Sequence, residues 1–245
     1  MGGSASINGN VTLTNGFILA DGVLTLNGTT TTNTGTINIS GGILSLQNAG
    51  ALSGAGAITF GGGASQYSAS NNVDYSSRIQ NSTGAITIDT ASQSGTFGSA
   101  LASSNIGGLT KIGAGSLTLN SAAANAYAGA TTINGGTLIV DFANMGSTPA
   151  NLINSASALV LNGGALQVKQ LVTGANPTSQ TFAGTSVASG ASSIIGTGTS
   201  ATATLTVEAE GEAALQSACA WARSRSARAW SAVSRLRRRR RPVRG

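Results

Sequence analysis

The sequence predicts an all-β fold: a right-handed parallel β-helix, or β-solenoid, built as a single elongated domain over residues 1–207 and followed by a disordered or partly helical basic tail over residues 208–245. Three observations predict it. Short strands of period-two alternation recur along the body, similar apolar triplets return every twenty or so residues, and Gly and Asn punctuate the intervals. Of the 245 residues 35 are Gly and only 8% are charged, a balance that favours many tight corners over a charged globular surface.

The pattern opens at Ile7-Asn8-Gly9-Asn10-Val11-Thr12-Leu13-Thr14, where Val11 and Leu13 share one strand face and threonines the other. No basic and apolar secretory leader precedes it, so the chain reads as a piece of a longer protein. Leu24/Leu26, Ile37/Ile39 and Leu44/Leu46 repeat the alternation, and Gly22-Val23-Leu24-Thr25-Leu26-Asn27 aligns with Gly42-Ile43-Leu44-Ser45-Leu46-Gln47 after 20 residues. Gly54-Ala55-Gly56 and Gly61-Gly62-Gly63 read as corners, because neither has the Gly-Lys-Ser/Thr ending or the following helix of a phosphate loop.

Residues 67–78 are the most polar and aromatic stretch of the body. They read as a loop excursion in which Asp74 and Arg78 form either a ligand-binding pair or a surface ion pair. Further on, the triplets centred on Leu117, Leu138 and Leu159 return at intervals of 21 residues, and Leu166/Val168 continue the alternation. Each repeat covers its neighbour's apolar face, and roughly ten coils rising ~4.8 Å each would make a rod of about 45–50 Å.

Residues 1–207 hold seven charged side chains, Asp21, Asp74, Arg78, Asp89, Lys111, Asp141 and Lys169, and no His, Cys or Trp. That leaves little acid–base chemistry. A glycan-active β-helix enzyme, a polysaccharide lyase or hydrolase, would cluster Asp, Lys, Arg or His on one exposed strand face, and Asp21, Asp89 and Asp141, placed repeat-like just after apolar runs, are the candidates. Such an enzyme needs two carboxylates ~5–9.5 Å apart, whereas these three are several coils apart in sequence and read as turn caps. Lys111 reads as a solvated charge beside its strand. The pairs Thr12/Thr14, Thr32/Thr34 and Thr202/Thr204 read as scattered rather than as an ice-binding array. No catalytic, cofactor-binding or metal-binding residue is assigned, no cofactor is expected, and no apolar run reaches the ~20 residues of a transmembrane helix.

At about Val207 the composition changes. Glu208, Glu210 and Glu212 lead into an Ala-rich stretch with Trp221, Trp230, the single Cys219 and the run Arg237-Arg238-Arg239-Arg240-Arg241, so the chain's net charge of +6 resides in the tail. Arg, Ala, Ser, Trp and Cys are what GC-rich codons give out of frame, and the break interrupts a strand, Thr202-Ala203-Thr204-Leu205-Thr206-Val207. Residues 208–245 therefore read as frameshifted or non-native sequence. The other reading is an arm that binds anionic membrane or nucleic acid; no specific nucleic acid is expected as a partner.

The phrase Gly108-Leu109-Thr110-Lys111-Ile112-Gly113-Ala114-Gly115-Ser116-Leu117-Thr118-Leu119, running on to Tyr127-Ala128-Gly129-Ala130-Thr131-Thr132-Ile133-Asn134-Gly135-Gly136-Thr137-Leu138, resembles the passenger-associated repeat of bacterial autotransporters. The resemblance implies a non-enzymatic passenger β-helix at the bacterial cell surface or outer membrane, or secreted, that serves as a stalk or adhesin and aids export by folding outside. It implies as partners a C-terminal outer-membrane β-barrel outside this chain and a host or cell-surface ligand. The loop at residues 120–126 is longer than is usual in the family, and Ala126 and Ala128 stand where Thr is frequent.

Overall fold

A computed structural model describes residues 2–145, 150–169, 178–197, 204–206 and 231–233. Its strands pair in parallel, each with its equivalent one coil away, and wind into a β-solenoid. The main sheet stacks nine strands: Ser4–Ile7, Val23–Leu26, Ile43–Leu46, Ala64–Gln66, Ile86–Asp89, Leu109–Ile112, Thr131–Ile133, Leu159–Asn162 and Thr185–Ser189. A five-stranded sheet, Ser94–Phe97, Ser116–Leu119, Thr137–Asp141, Ala165–Lys169 and Ser193–Thr197, forms a second face of the later coils. Phe17–Leu19, Ile37–Ile39 and Ile58–Phe60 stack as a third face of the early ones.

The interior follows from the alternation. Leu24, Leu44, Ser65, Ile88, Lys111, Ile133 and Leu161 form one inward column through the main sheet, each in register with the next, and the register ends at Val187, which is exposed. A second column, Leu117, Leu138, Leu166 and Ile194, runs through the five-stranded sheet beside Leu119, Val140 and Val168. Leu44, Leu117, Leu119, Leu138 and Leu166 are fully buried, and burial of each such side chain stabilises by roughly 1.5–3 kcal/mol. On the outside, Thr87, Thr110 and Thr132 line up on three consecutive coils. No helix among the described residues is long and apolar enough to cross a membrane.

Two expectations about the repeat are corrected. The nine stacked strands rise about 38 Å at ~4.8 Å per coil, short of ten coils, because the coils lengthen along the chain: Asn8 and Asn27 stack 19 residues apart, Asp141 and Lys169 28 apart. For the same reason Leu138 stacks on Leu166, and Leu159 belongs to the other sheet above Thr131. The chain leaves the strand Thr137–Asp141 through a short 3₁₀ turn, Phe142–Asn144, before reaching the next coil. The apparent 21-residue interval between Leu138 and Leu159 therefore joins two different faces.

The threonine pairs are also less scattered than they read. Thr12 and Thr32 are register partners, and the Thr34 hydroxyl donates to the Thr14 carbonyl at 3.0 Å; Thr202 lies outside the described residues. The expected disordered or partly helical tail likewise lies outside them, apart from Ser231–Val233, which pairs in parallel with Thr204–Thr206.

Gly95 occupies an inward position that its register partner fills with Leu117. A Cβ there would stand 2.4 Å from Cε2 of the buried Tyr67 ring. Gly95→Ala should destabilise the body by about 1–3 kcal/mol, since the ring must shift in a packed interior. Urea unfolding followed by far-ultraviolet circular dichroism measures this, and an unchanged midpoint would show the ring is free to move.

Candidate functional site

The carboxylates that sequence reading singled out serve as backbone acceptors. Asp21 Oδ1 accepts from the Gly22 amide at 2.7 Å, and Asp141 Oδ1 accepts from the Ala143 amide at 3.0 Å. Asp89 Oδ1 takes the Ala91 amide at 2.7 Å, while its Oδ2 ends a side-chain relay: Gln47 donates to Ser45, Ser45 to Gln66, and Gln66 to Asp89, each at 2.9 Å. The register partners of Asp89 are Gln66 and Ile112, and that of Asp141 is Lys169. No carboxylate pair of the kind glycosidic chemistry uses is stacked there. Among the described residues, no group of three or more His, Cys, Asp or Glu side chains could hold a metal ion.

Asp141 does meet a charge: Lys169 Nζ lies 2.8 Å from its Oδ2, on the neighbouring coil. Lys169 is about half exposed and Asp141 is buried, so solvent screens the pair from the lysine side, and the Asp141 carboxylate keeps the Ala143 amide without it. Lys169→Ala should cost no more than about 1 kcal/mol; a larger drop in urea stability would mean the pair governs this corner.

Residues 67–78 are anchored into the solenoid by buried side chains, although Asp74 and several neighbours are exposed. Tyr67, Asn71 and Tyr75 are buried, and the Asn71 amide donates to the Asn48 carbonyl of the preceding coil at 2.6 Å. Asp74 accepts from the amides of Ser76 at 2.8 Å and Gly98 at 2.7 Å. Arg78 reaches back to the carbonyls of Gly56 and Leu52, with its guanidinium 5.7 Å from the Tyr75 ring centre. No strand runs along the second face of this coil, and the Asn71 amide and Arg78 guanidinium take up backbone carbonyls that a ladder would otherwise use.

Lys111 departs furthest from expectation. It is fully buried rather than solvated, because it shares strand parity with Leu109 and so points inward, between Ile88 and Ile133. Its Nζ donates to the carbonyls of Ile112 at 2.8 Å, Gly113 at 2.8 Å and Gly135 at 3.2 Å. All three ammonium protons are thereby used. Gly113 adopts φ 79°, a conformation readily taken only without a Cβ. Burial pulls the amine down to about 8, partly offset by the charge of Asp89.

One coil on lies a second polar group that sequence reading missed. Ser157 Oγ donates to the Gly129 carbonyl at 2.9 Å, which directs the chain of hydroxyls that feeds it: Tyr127 to Thr131 at 2.6 Å, Thr131 to Ser157 at 3.0 Å. Asn125 joins three coils, accepting from the Leu101 amide at 2.9 Å and donating to the Leu152 carbonyl at 3.0 Å. These groups satisfy each other inside the solenoid.

The buried lysine and the Tyr127 and Thr131 hydroxyls belong to the same stretch of sequence. Residues 109–140 match the passenger-associated-transport-repeat. The matched repeat contains two strands of the main sheet and two of the five-stranded sheet, each stacked on its own equivalent: Leu109 on Thr131, Leu117 on Leu138. One repeat thus spans parts of two coils, and its apolar side is complete only with neighbours above and below. No curated protein and no solved structure matches the chain.

Proposed function

We propose that this chain is a structural passenger segment of an autotransporter-like surface protein, a β-helical stalk that projects or spaces an adhesive part at a bacterial surface and assists its own export. The observation that carries this reading is the unbroken parallel stacking through residues 109–140, where the passenger-associated-transport-repeat lies inside a solenoid rather than in an isolated domain. Its polar chemistry supports a structural role, since the aspartates hold corners and the hydroxyls and Lys111 bind main chain. In a one-dimensional fold each emerging coil can add to those already outside.

The partner implied is a C-terminal outer-membrane β-barrel, and residues 208–245 are out-of-frame sequence standing where further coils and that barrel would be encoded. The other two reading frames of the gene downstream of residue 207 should then give more period-two alternation and amphipathic barrel strands; nonsense in both would reject the frameshift. For the stalk itself, an epitope placed before residue 2, with an autotransporter barrel joined after residue 197, should become accessible to antibody on intact cells. A tag that stays hidden although the fusion reaches the outer membrane would reject the export role.

A further inference from the structure

Three backbone carbonyls, those of Ile112, Gly113 and Gly135, converge on one point inside the corner that joins two consecutive coils, and Lys111 Nζ occupies that point. Inward carbonyl dipoles repel one another and bind cations, as rings of main-chain carbonyls do in ion-selective pores. We infer that this corner is a site for a primary ammonium ion, which the protein fills with its own tethered cation, and that Lys111 positions the two coils through its charge rather than its bulk.

The geometry fits an ammonium ion in three respects. A compact three-proton donor matches three converging acceptors, whereas the planar fork of Arg cannot aim at all of them. Two acceptors belong to one coil and the third, Gly135, to the next, so the cation bridges the coils. Small residues frame it: Gly113, Gly115, Gly135 and Gly136 stand close together, with a Cβ on Gly136 falling 2.1 Å from the Gly115 carbonyl oxygen. The charged group facing the ammonium from a neighbouring element is Asp89, whose oxygens are held by Ala91 and Gln66.

The test uses the full chain and two amides that cross this corner, Asn134 donating to the Lys111 carbonyl and Thr137 to the Gly115 carbonyl. Lys111→Met keeps the bulk and removes the charge. Hydrogen exchange at Asn134 and Thr137 should accelerate at least tenfold in it, with the amides of Ile37 and Ile43 unchanged. In Lys111→Ala, millimolar ethylammonium chloride should restore protection at both amides, and tetramethylammonium chloride, equally charged but without N–H donors, should not. Unchanged exchange in Lys111→Met would overturn the inference, since the side chain would then act as packing alone. Equal effects of the two salts would overturn it as well, and if the alanine variant fails to fold, the methionine variant decides.

Discussion

Tyr127→Ala is expected to lower the stability of the body by about 3–5 kcal/mol, the range for removing a large ring from a packed core, and Tyr127→Phe by about 1–2 kcal/mol. Urea unfolding followed by circular dichroism measures both. Tyr127 is completely buried, and burial raises its hydroxyl above the usual phenol range, so the hydroxyl stays protonated and donates to Thr131. Phenylalanine keeps the ring and leaves the Thr131 oxygen without its donor, although Thr131 can still donate to Ser157. Alanine adds a cavity between coils, which neighbouring coils cannot close without losing their own register. If Tyr127→Phe cost as much as Tyr127→Ala, the hydroxyl chain rather than packing would dominate this coil.

What the sequence revealed and what it hid follow from one physical distinction. Alternation is a local signal, and Leu24/Leu26, Leu44/Leu46 and Leu117/Leu119 announce their inward faces without any knowledge of neighbours. Stacking is not local. The change in partner at Leu138, from an expected Leu159 to Leu166, depends on how many residues the corner after Asp141 consumes, and apolar triplets are too alike to report it. The aspartate caps were legible because Asp at a strand end has few other uses in such a sequence. Lys111 was legible in principle: parity with Leu109 points it inward. Charge argued against that parity, and only the three carbonyls brought together from two coils show why parity prevails. Asn71 and Asn125 were hidden for a similar reason, since an Asn in a Gly- and Ser-rich stretch looks like a turn residue until its distant backbone partners are known.

The stability of the folded body should rise between about pH 8 and pH 10, by about 2–3 kcal/mol in total, and fall again at higher pH. Below pH 8 the Lys111 amine is protonated in both the folded and unfolded chains, and the full cost of burying the ammonium is present. Above about 8 the folded site releases its proton, while an unfolded lysine holds its own until about 10.4. The unfolded state then binds more protons, so unfolding becomes less favourable as pH increases, with a slope approaching about 1.4 kcal/mol per unit. Tyrosine reverses the trend. Tyr67, Tyr75 and Tyr127 are each raised by burial, so above about pH 10 the unfolded chain loses phenolic protons that the folded one retains, and stability declines. Lys111→Met should abolish the rise and keep the decline, measured as urea unfolding free energy at half-unit steps from pH 7 to 11. At pH 7 the variant should be as stable as the original or more so, because a buried charge costs desolvation that a thioether does not. The same substitution is expected to loosen the corner at Gly113 and Gly135, so the lysine would trade overall stability for a closed junction between coils. A flat profile for the unaltered chain from pH 8 to 10 would mean that the three carbonyls hold the ammonium strongly enough to cancel the effect of burial.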